Sequence, residues 1–431
     1  MSYAEFLAAK SKGAAPVGVT ATVDDVNDWL HDWQREIVAW AAIKGRAAIW
    51  ADTGLGKTAM QLEWLRLSSG AGIGLVVAPL AVCQQTVREA RKLGIEAAYT
   101  REMPQSPGIY VTNYEMVEHF DAQHVAAVVL DESSILKQSD GKTRTKLIRH
   151  FADVPRRLAC TATPAPNDPE ELTNHAEFLG VSTRTEMLAA YFVHDQDGWR
   201  LKGHARGPMF RWMSSWAIAL RRPSDMGYPD EGYILPELHI HAHLIDVNVV
   251  PDGQLFASDL GGVGGRAAVR KSTIRERCEH AAEIVGREPD EPWIIWCGLN
   301  DEADLMARLI PDAVNVHGGW SPEDKADAML RFADGDIRVL ITKPSIASFG
   351  LNWQHCARMA FVGLSDSYES YYQSIRRCYR YGQSREVHAH VVLTAVESQI
   401  ADNISRKQAA ALDMTAGLVA ALGAQREGIT A

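Results

Sequence analysis

The sequence predicts an α/β protein made of two parallel-sheet domains in tandem, and three observations carry that expectation. Residues 51–58 read ADTGLGKT between the apolar stretch 47–50 and the helix-compatible run AMQLEWLRL, the pattern of a loop that binds a triphosphate. Five short apolar runs recur with helical patterns between them: AAIW at 47, GLVVAP at 74, GIYVTNY at 108, AAVVLDES at 126 and RRLACTATP at 156. A second series follows, with PWIIWCGLN at 292, AVNVHGG at 313, IRVLITKPS at 337, ARMAFVGL at 357 and VHAHVVL at 387. Strands alternating with helices give a parallel sheet covered on both faces, and ligands collect at the carboxyl ends of its strands.

Taken in order, residues 1–27 read as an N-terminal tail and 28–182 as the first α/β domain. The rhythm breaks over roughly 180–240, where tryptophans and arginines in MLAAYF and FRWMSSWAIALRR show helix-like spacing before a Pro/Gly-rich passage. That segment, 183–245, is expected to be a helical insertion and linker on the first domain. GGVGG at 261–265 then reads as a flexible loop near the start of the second domain, 246–431. The length of 431 residues suits two domains with proper cores.

Apolar residues at 46% and charged residues at 23% are ordinary for a soluble globular protein. The six cysteines lie far apart and form no CxxC pair, which argues against a zinc site among them and for a reducing compartment. The first residues, MSYAEFLAAKSKG, lack the basic-then-apolar order of a signal peptide, and no apolar run approaches bilayer length. A cytoplasmic protein without membrane contact is the expectation. The net charge of −10 disfavours contact of the whole surface with nucleic acid, so any such binding needs a local basic stripe. Two stretches qualify, 137–157 and 200–222, the latter interleaved with Phe210, Trp212 and Trp216 and preceded by Trp199. Each also reads as a solvated helix face.

The chemistry of the loop is a demand for backbone N–H groups turned toward phosphate oxygens with a helix N-terminus behind them, which Gly54 and Gly56 permit. Lys57 would reach the β and γ phosphates and the Thr58 hydroxyl would sit on magnesium. Ala51 stands where a strict loop has glycine. An ordinary glycine turn before a helix is the alternative. In VVLDESSILK a strand delivers Asp131 and Glu132 to its carboxyl end, where Asp131 suits a water-mediated hold on magnesium and Glu132 suits a general base. Adjacent acidic residues after a strand also occur in plain loops. In QSIRRCYRYGQ the spacing predicts Gln373, Arg377 and Arg380 on neighbouring turns of one helix, where arginine forks can neutralise charge on a γ phosphate. A basic surface helix is the alternative there.

The ordered set DWQ at 32, ADTGLGKT, VVAPLAV, VTNYE, DESS, TATPAPN, ITKPSIASFGLN and QSIRRCYRYGQ resembles the motifs of superfamily-two helicases. The final QxxxRxxRxGQ points to the Swi/Snf-like branch of double-stranded DNA translocases, with phage and prokaryotic members most similar, and the resemblance covers roughly residues 28–395. It implies two RecA-like P-loop lobes with parallel sheets, ATP and Mg2+ as cofactors, and double-stranded DNA as partner. It also implies roles. Gln34 would recognise adenine, with Thr53, Gly54, Leu55, Gly56, Lys57 and Thr58 as the phosphate loop. Asp131 and Glu132 would bind magnesium and activate water, and Thr161 and Thr163, with Gln373, would couple nucleotide state to movement. Arg377 and Arg380 would be arginine fingers, Gly350 and Asn352 would sense nucleotide and DNA, and Thr112, Lys137 and Lys343 would lie near a nucleic-acid backbone. Two departures stand out. DESS replaces the usual DEAH or DEGH, which puts Ser134 in place of a coupling histidine, and Ala347 and Ser348 replace the glycine pair before GLN.

His239, His241 and His243 alternate on a strand-like run, so they share one side and could hold a metal, but no fourth ligand is evident nearby and a polar strand face is the alternative. Trp199, Trp212 and Trp216 suit either base stacking or a helical core. The function expected is an ATP-hydrolysing translocase on double-stranded DNA. The alternatives are a strand-separating DNA or RNA helicase and a nucleotide-dependent binding module without turnover. A recruiting or nuclease partner protein would supply any cutting activity, since no nuclease motif is evident.

Overall fold

Near-continuous apolar runs are stable as strands only where both faces of the sheet are covered, and the central strands of this chain are covered in that way. The computed structural model describes residues 13–137, 141–196, 198–245, 270–347, 352–365, 367–394 and 398–430. The loop 261–265, Ser348 and Gly350 lie outside the described residues. The contacts gather into two units, one running to Glu231 and taking in the chain from Ala409 on, the other Gly232–Gln408.

The first unit is built on β1 (Arg46–Ala51), β2 (Ile73–Ala78), β3 (Ala97–Tyr99), β4 (Gly108–Asn113), β5 (Val125–Asp131) and β6 (Arg156–Cys160), followed by an antiparallel hairpin of β7 (Phe192–Asp195) and β8 (Gly198–Leu201), and by β9 (Ala217–Leu220). Its sheet is parallel in the order β3-β4-β2-β5-β6-β1-β9. All six residues of β2 are buried, as the uninterrupted apolar run requires. Segment 183–245 departs from the helical insertion expected. It holds short helices at Arg184–Tyr191 and Arg206–Met213, but also the hairpin and β9, which adds a seventh strand beside β1. A four-residue run such as AIAL fits helix and strand alike by periodicity. What decides is the ladder offered by β1, where the Ala48 N–H donates to the Trp216 carbonyl at 2.8 Å and the Asp52 N–H to that of Leu220 at 3.0 Å.

Trp216 is fully buried and meets Trp50 edge-on at 5.7 Å, so it belongs to the core. Trp212 packs half-buried against Tyr191 and Trp216, whereas Trp199 on the hairpin stays partly exposed beside His194. Met414 and Leu418 of the helix Ser398–Thr430 lie in the same core, and Asp413 pairs with Arg206 at 2.7 Å. The chain from Ala409 on thus clusters with the first unit, whereas the sequence boundary placed it in the second.

The second unit has β10 (Leu238–Ile245), β11 (Trp293–Cys297), β12 (Ala313–Asn315), β13 (Val339–Thr342), β14 (Arg358–Val362) and β15 (Val387–Thr394), parallel in the order β10-β15-β14-β11-β13-β12. Trp293, Ile295 and Ile341 centre its core. All ten apolar runs named from the sequence are strands of these two sheets. The six cysteines are buried and unpaired, and no helix among the described residues is long and apolar enough to cross a membrane.

Candidate nucleotide site

β5, β6 and β1 are adjacent in the first sheet, so the segments that leave their carboxyl ends converge. The loop after β1 turns through Gly54 at φ 87° and Gly56 at φ 73°, and the helix Lys57–Ser69 starts at once. A side chain at Gly56 would place its Cβ 2.3 Å from Gln34 Nε2, so the position needs glycine for space as well as for its left-handed backbone. Gln34 is buried near the start of the helix Asp32–Lys44. Its Oε1 accepts from the His31 N–H at 3.0 Å and its Nε2 donates to the Leu55 carbonyl at 3.0 Å, so its amide is held against the loop. Leu55 is itself buried.

Lys57 Nζ donates to the carbonyls of Ala51 at 2.8 Å and Asp52 at 3.2 Å, and the Thr53 N–H donates to Asp52 Oδ1 at 2.6 Å. Burial pushes the Lys57 ammonium below its usual range, and Glu132, Asp52 and Asp131 oppose that shift. Thr58 is half-buried in the first turn of the helix.

Asp131 ends β5 and is buried, which pushes its carboxyl up, while Gln61 and Lys57 hold it back. Gln61 Nε2 donates to Asp131 Oδ1 at 2.8 Å and the Tyr114 hydroxyl to the Asp131 carbonyl at 2.6 Å. The sequence reading missed both. Gln61 stands three residues after Thr58, one helical turn on, and that spacing was the available signal. Glu132 adopts φ 55°, the only positive φ at a non-glycine among the described residues, and such strain concentrates at functional positions. Thr161, from the end of β6, donates through Oγ1 to Glu132 Oε2 at 3.2 Å and accepts the Thr163 N–H at 3.1 Å. The loop, the two carboxylates and the TATP residues are therefore together in one place.

Ser134 is buried, and beside the direct Thr161–Glu132 bond a second link between the DESS and TATP segments runs through His175, which lies in the helix Leu172–Leu179. His175 Nδ1 meets Ser133 Oγ at 3.5 Å and Nε2 meets the Pro164 carbonyl at 2.9 Å. Burial lowers the His175 ring to about 4. Nothing in the motif spacing pointed to it, because it follows the TATP motif by 11 residues.

Other expectations fare differently. Thr112 is fully buried within β4 and its Oγ1 has no hydrogen-bond partner, so it is not presented to a nucleic-acid backbone. The reason is its strand, which lies inside the sheet between β3 and β2. Lys137 and Lys343 are half-buried at the ends of a short helix and of β13, and Asn352 is exposed. In the second unit the helix Tyr368–Ile375 ends before Arg377 and Arg380, contrary to the single helix predicted. The carbonyls beyond it are taken by other partners, Trp353 N–H bonding that of Arg377 at 2.9 Å and Gln383 Nε2 that of Cys378 at 3.2 Å, and the chain turns at Gly382 with φ 91°. Arg377 remains next to Gln373, its Nη2 donating to Gln373 Oε1 at 3.3 Å, and both are buried. Several arginines and lysines of the basic stretches are ion-paired, among them Arg144 with Glu177, Lys146 with Glu118 and Arg221 with Asp225.

The donor set of the first unit suits a triphosphate with a hard divalent cation: a glycine-bent loop ahead of a helix, one ammonium, a threonine hydroxyl and two carboxylates. Comparison with known proteins agrees with that chemistry. The SNF2-related domain family matches residues 27–192 and the helicase conserved C-terminal domain family matches residues 276–382. Protein CHROMATIN REMODELING 19 of Arabidopsis thaliana is 29% identical over a stretch that covers 31% of this chain and 22% of that protein. The chain thus spans about a fifth of that relative's length. Among solved structures, S. cerevisiae Dbp5 bound to RNA and ADP BeF3 superposes with a TM-score of 0.54 at 14% identity, covering 88% of this chain and 87% of that one. A fragment of a putative HsdR subunit of a type I restriction enzyme from Vibrio vulnificus gives 0.56 at 14% identity, covering 88% and 66%. These likenesses establish the fold, two RecA-like α/β domains.

Proposed function

Because the chain belongs to the SNF2-related, helicase-like proteins of superfamily two, we propose that it is an ATP-driven motor that moves along double-stranded DNA. The observation that carries the reading is Glu132, strained at φ 55° and held by Thr161 beside the phosphate loop. A module that only bound nucleotide would gain nothing from keeping a carboxylate there at a cost in backbone energy.

In the proposed reaction water attacks the γ-phosphorus while Glu132 takes its proton. The bond from that phosphorus to the bridging oxygen breaks, the electron pair leaves with ADP, and inorganic phosphate is the second product. Thr161 keeps the Glu132 carboxylate aimed, and Lys57 turns from its carbonyl partners to the β and γ phosphates. Thr58 and Asp131 would hold magnesium, which neutralises phosphate charge when bound. Gln34 ties the loop to the helix that would meet adenine. Arg377 and Arg380 are proposed as the groups that neutralise charge developing on the γ phosphate. Their support is the QxxxRxxRxGQ pattern, which closes the Swi/Snf-like motif order. Lys137 and Lys343 are proposed phosphate contacts, so DNA binding would be independent of sequence and strongly salt-dependent.

The test is the rate of ATP turnover with no nucleic acid, with single-stranded DNA, with duplex DNA and with RNA. Stimulation by duplex DNA alone is expected. Equal stimulation by single strands or RNA would replace this reading with a strand-separating helicase.

A further inference from the structure

The histidines of β10 do not line the solvent side of their strand. His239, His241 and His243 are half-buried and alternate with exposed Ile240, Ala242 and Leu244, the reverse of what hydrophobicity alone would give an edge strand. The pairing explains why. β10 runs parallel to β15 with His239 beside His388 and His241 beside His390, and the paired rings stack at 4.8 and 4.6 Å. His241 Nε2 meets His388 Nδ1 at 3.0 Å and His243 Nε2 meets His390 Nδ1 at 3.0 Å. Along β10 the Nε2 atoms of His241 and His243 are thus paired, and that of the first histidine is not. His239 Nε2 is shielded from solvent and makes no hydrogen bond, although it faces Glu386 Oε2 at 3.4 Å and Glu237 Oε2 at 3.7 Å.

We propose that His239, Glu386 and His388 bind a divalent transition-metal cation of the zinc class, which fastens the edge strand β10 to β15. One ligand atom of each residue lies within 4.8 Å of the other two. Ligand atoms on one zinc ion, each bonded at about 2.1 Å, stand at most about 4.2 Å apart; His239 Nε2 and Glu386 Oε2, at 3.4 Å, already meet that limit, and the cluster contracts slightly when the ion binds. Two imidazoles and a carboxylate select zinc, nickel or copper over magnesium or calcium, which prefer oxygen ligands alone. His241 on Nδ1 of His388 is the outer hydrogen bond that orients a ligating imidazole and leaves Nε2 to the metal. Arg358, which pairs with His388 across β14 and β15, does not oppose the cation with a bare charge, because Glu288 binds its guanidinium at 2.6 and 3.2 Å. The second ligand strand was invisible beside the alternating histidines because it lies 147 positions further on.

The experiment is calorimetric titration of ZnCl2 into the full chain, freed of any affinity tag and of chelator, with thermal melting in parallel. The expected result is one zinc per chain and a melting temperature that rises with zinc. Glu386→Gln, at an exposed position, should keep the metal-free melting curve and weaken zinc binding by about tenfold or more. His239→Ala should abolish binding, and Asp131→Asn in the other unit should leave it intact. Absence of stoichiometric binding, or binding that Glu386→Gln leaves unchanged, overturns the proposal. If His239→Ala does not fold, Glu386→Gln alone decides.

Discussion

Thr161 Oγ1 donates to Glu132 Oε2 at 3.2 Å, so a hydroxyl at the end of β6 holds a carboxylate at the end of β5. The same oxygen accepts the Thr163 N–H, which ties the TATP backbone to the proposed base. Thr161→Val removes both bonds at nearly constant volume. One mis-set hydrogen bond of this kind is worth about 1–2 kcal/mol, so kcat should fall by about tenfold or more while KM for ATP stays close to normal. Thr161→Ser should restore most of the rate, and steady-state kinetics of both variants check it.

Glu132 sits in the left-handed region, where a Cβ is costly and glycine is not. Glu132→Ala and Glu132→Gly both delete the proposed base and should both stop turnover. They should differ in stability, the glycine variant exceeding the alanine variant by about 1 kcal/mol in denaturant unfolding, because only alanine retains the strain. Equal stability would mean the segment relaxes once the carboxylate is gone.

Gln61 holds the buried Asp131 carboxylate at 2.8 Å. Gln61→Leu keeps the volume and removes that donor, leaving the carboxylate with less support in an apolar setting. An outer partner of a metal-binding carboxylate typically contributes about 10–100-fold in affinity, so the magnesium concentration for half-maximal turnover should rise by about tenfold or more. Magnesium titration of the ATPase rate at saturating ATP measures it.

The first unit's candidate site was legible because its residues are local in sequence. Residues 53–58 are contiguous, and Asp131, Glu132 and Thr161 each end an apolar run, so naming the strands also named the positions. What escaped was set by tertiary pairing. β9 is a strand because β1 offers it hydrogen bonds, not because AIAL alone prefers that state. Arg377 leaves the helix that its spacing suggested because Trp353, remote in sequence, takes its carbonyl. Thr112 fits the motif but faces the interior, a distinction that a strand buried on both sides does not write into its sequence.

His175 joins Ser133 to the Pro164 carbonyl while fully buried, and burial holds its ring at about 4, below the ordinary histidine value of 6.5. Its folded value is depressed, so its contribution to stability is fully present above pH 6.5 and is lost as pH falls toward 4. The displacement corresponds to a loss on the order of 3 kcal/mol across that window. His175→Gln, which keeps a polar side chain but cannot titrate, should lose less stability between pH 6.5 and pH 4 than the parent chain. Denaturant unfolding at the two pH values compares them, and parallel losses would remove His175 as the titrating group.

Arg377 is buried against Gln373, so its substitution tests two roles at once. If it neutralises charge on the γ phosphate, Arg377→Ala should lower kcat by about a thousandfold or more, with a much smaller change in KM for ATP. If it only packs the second unit, the loss should follow the hydrogen bond to Gln373 instead. Gln373→Ala separates the two, since it deletes the same bond but keeps the guanidinium. A thousandfold loss in Arg377→Ala beside a modest loss in Gln373→Ala, read together with their melting curves, assigns the charge to chemistry. Equal losses in the two variants would make Arg377 a residue that positions its neighbours, because nothing but the shared bond would then account for the rate.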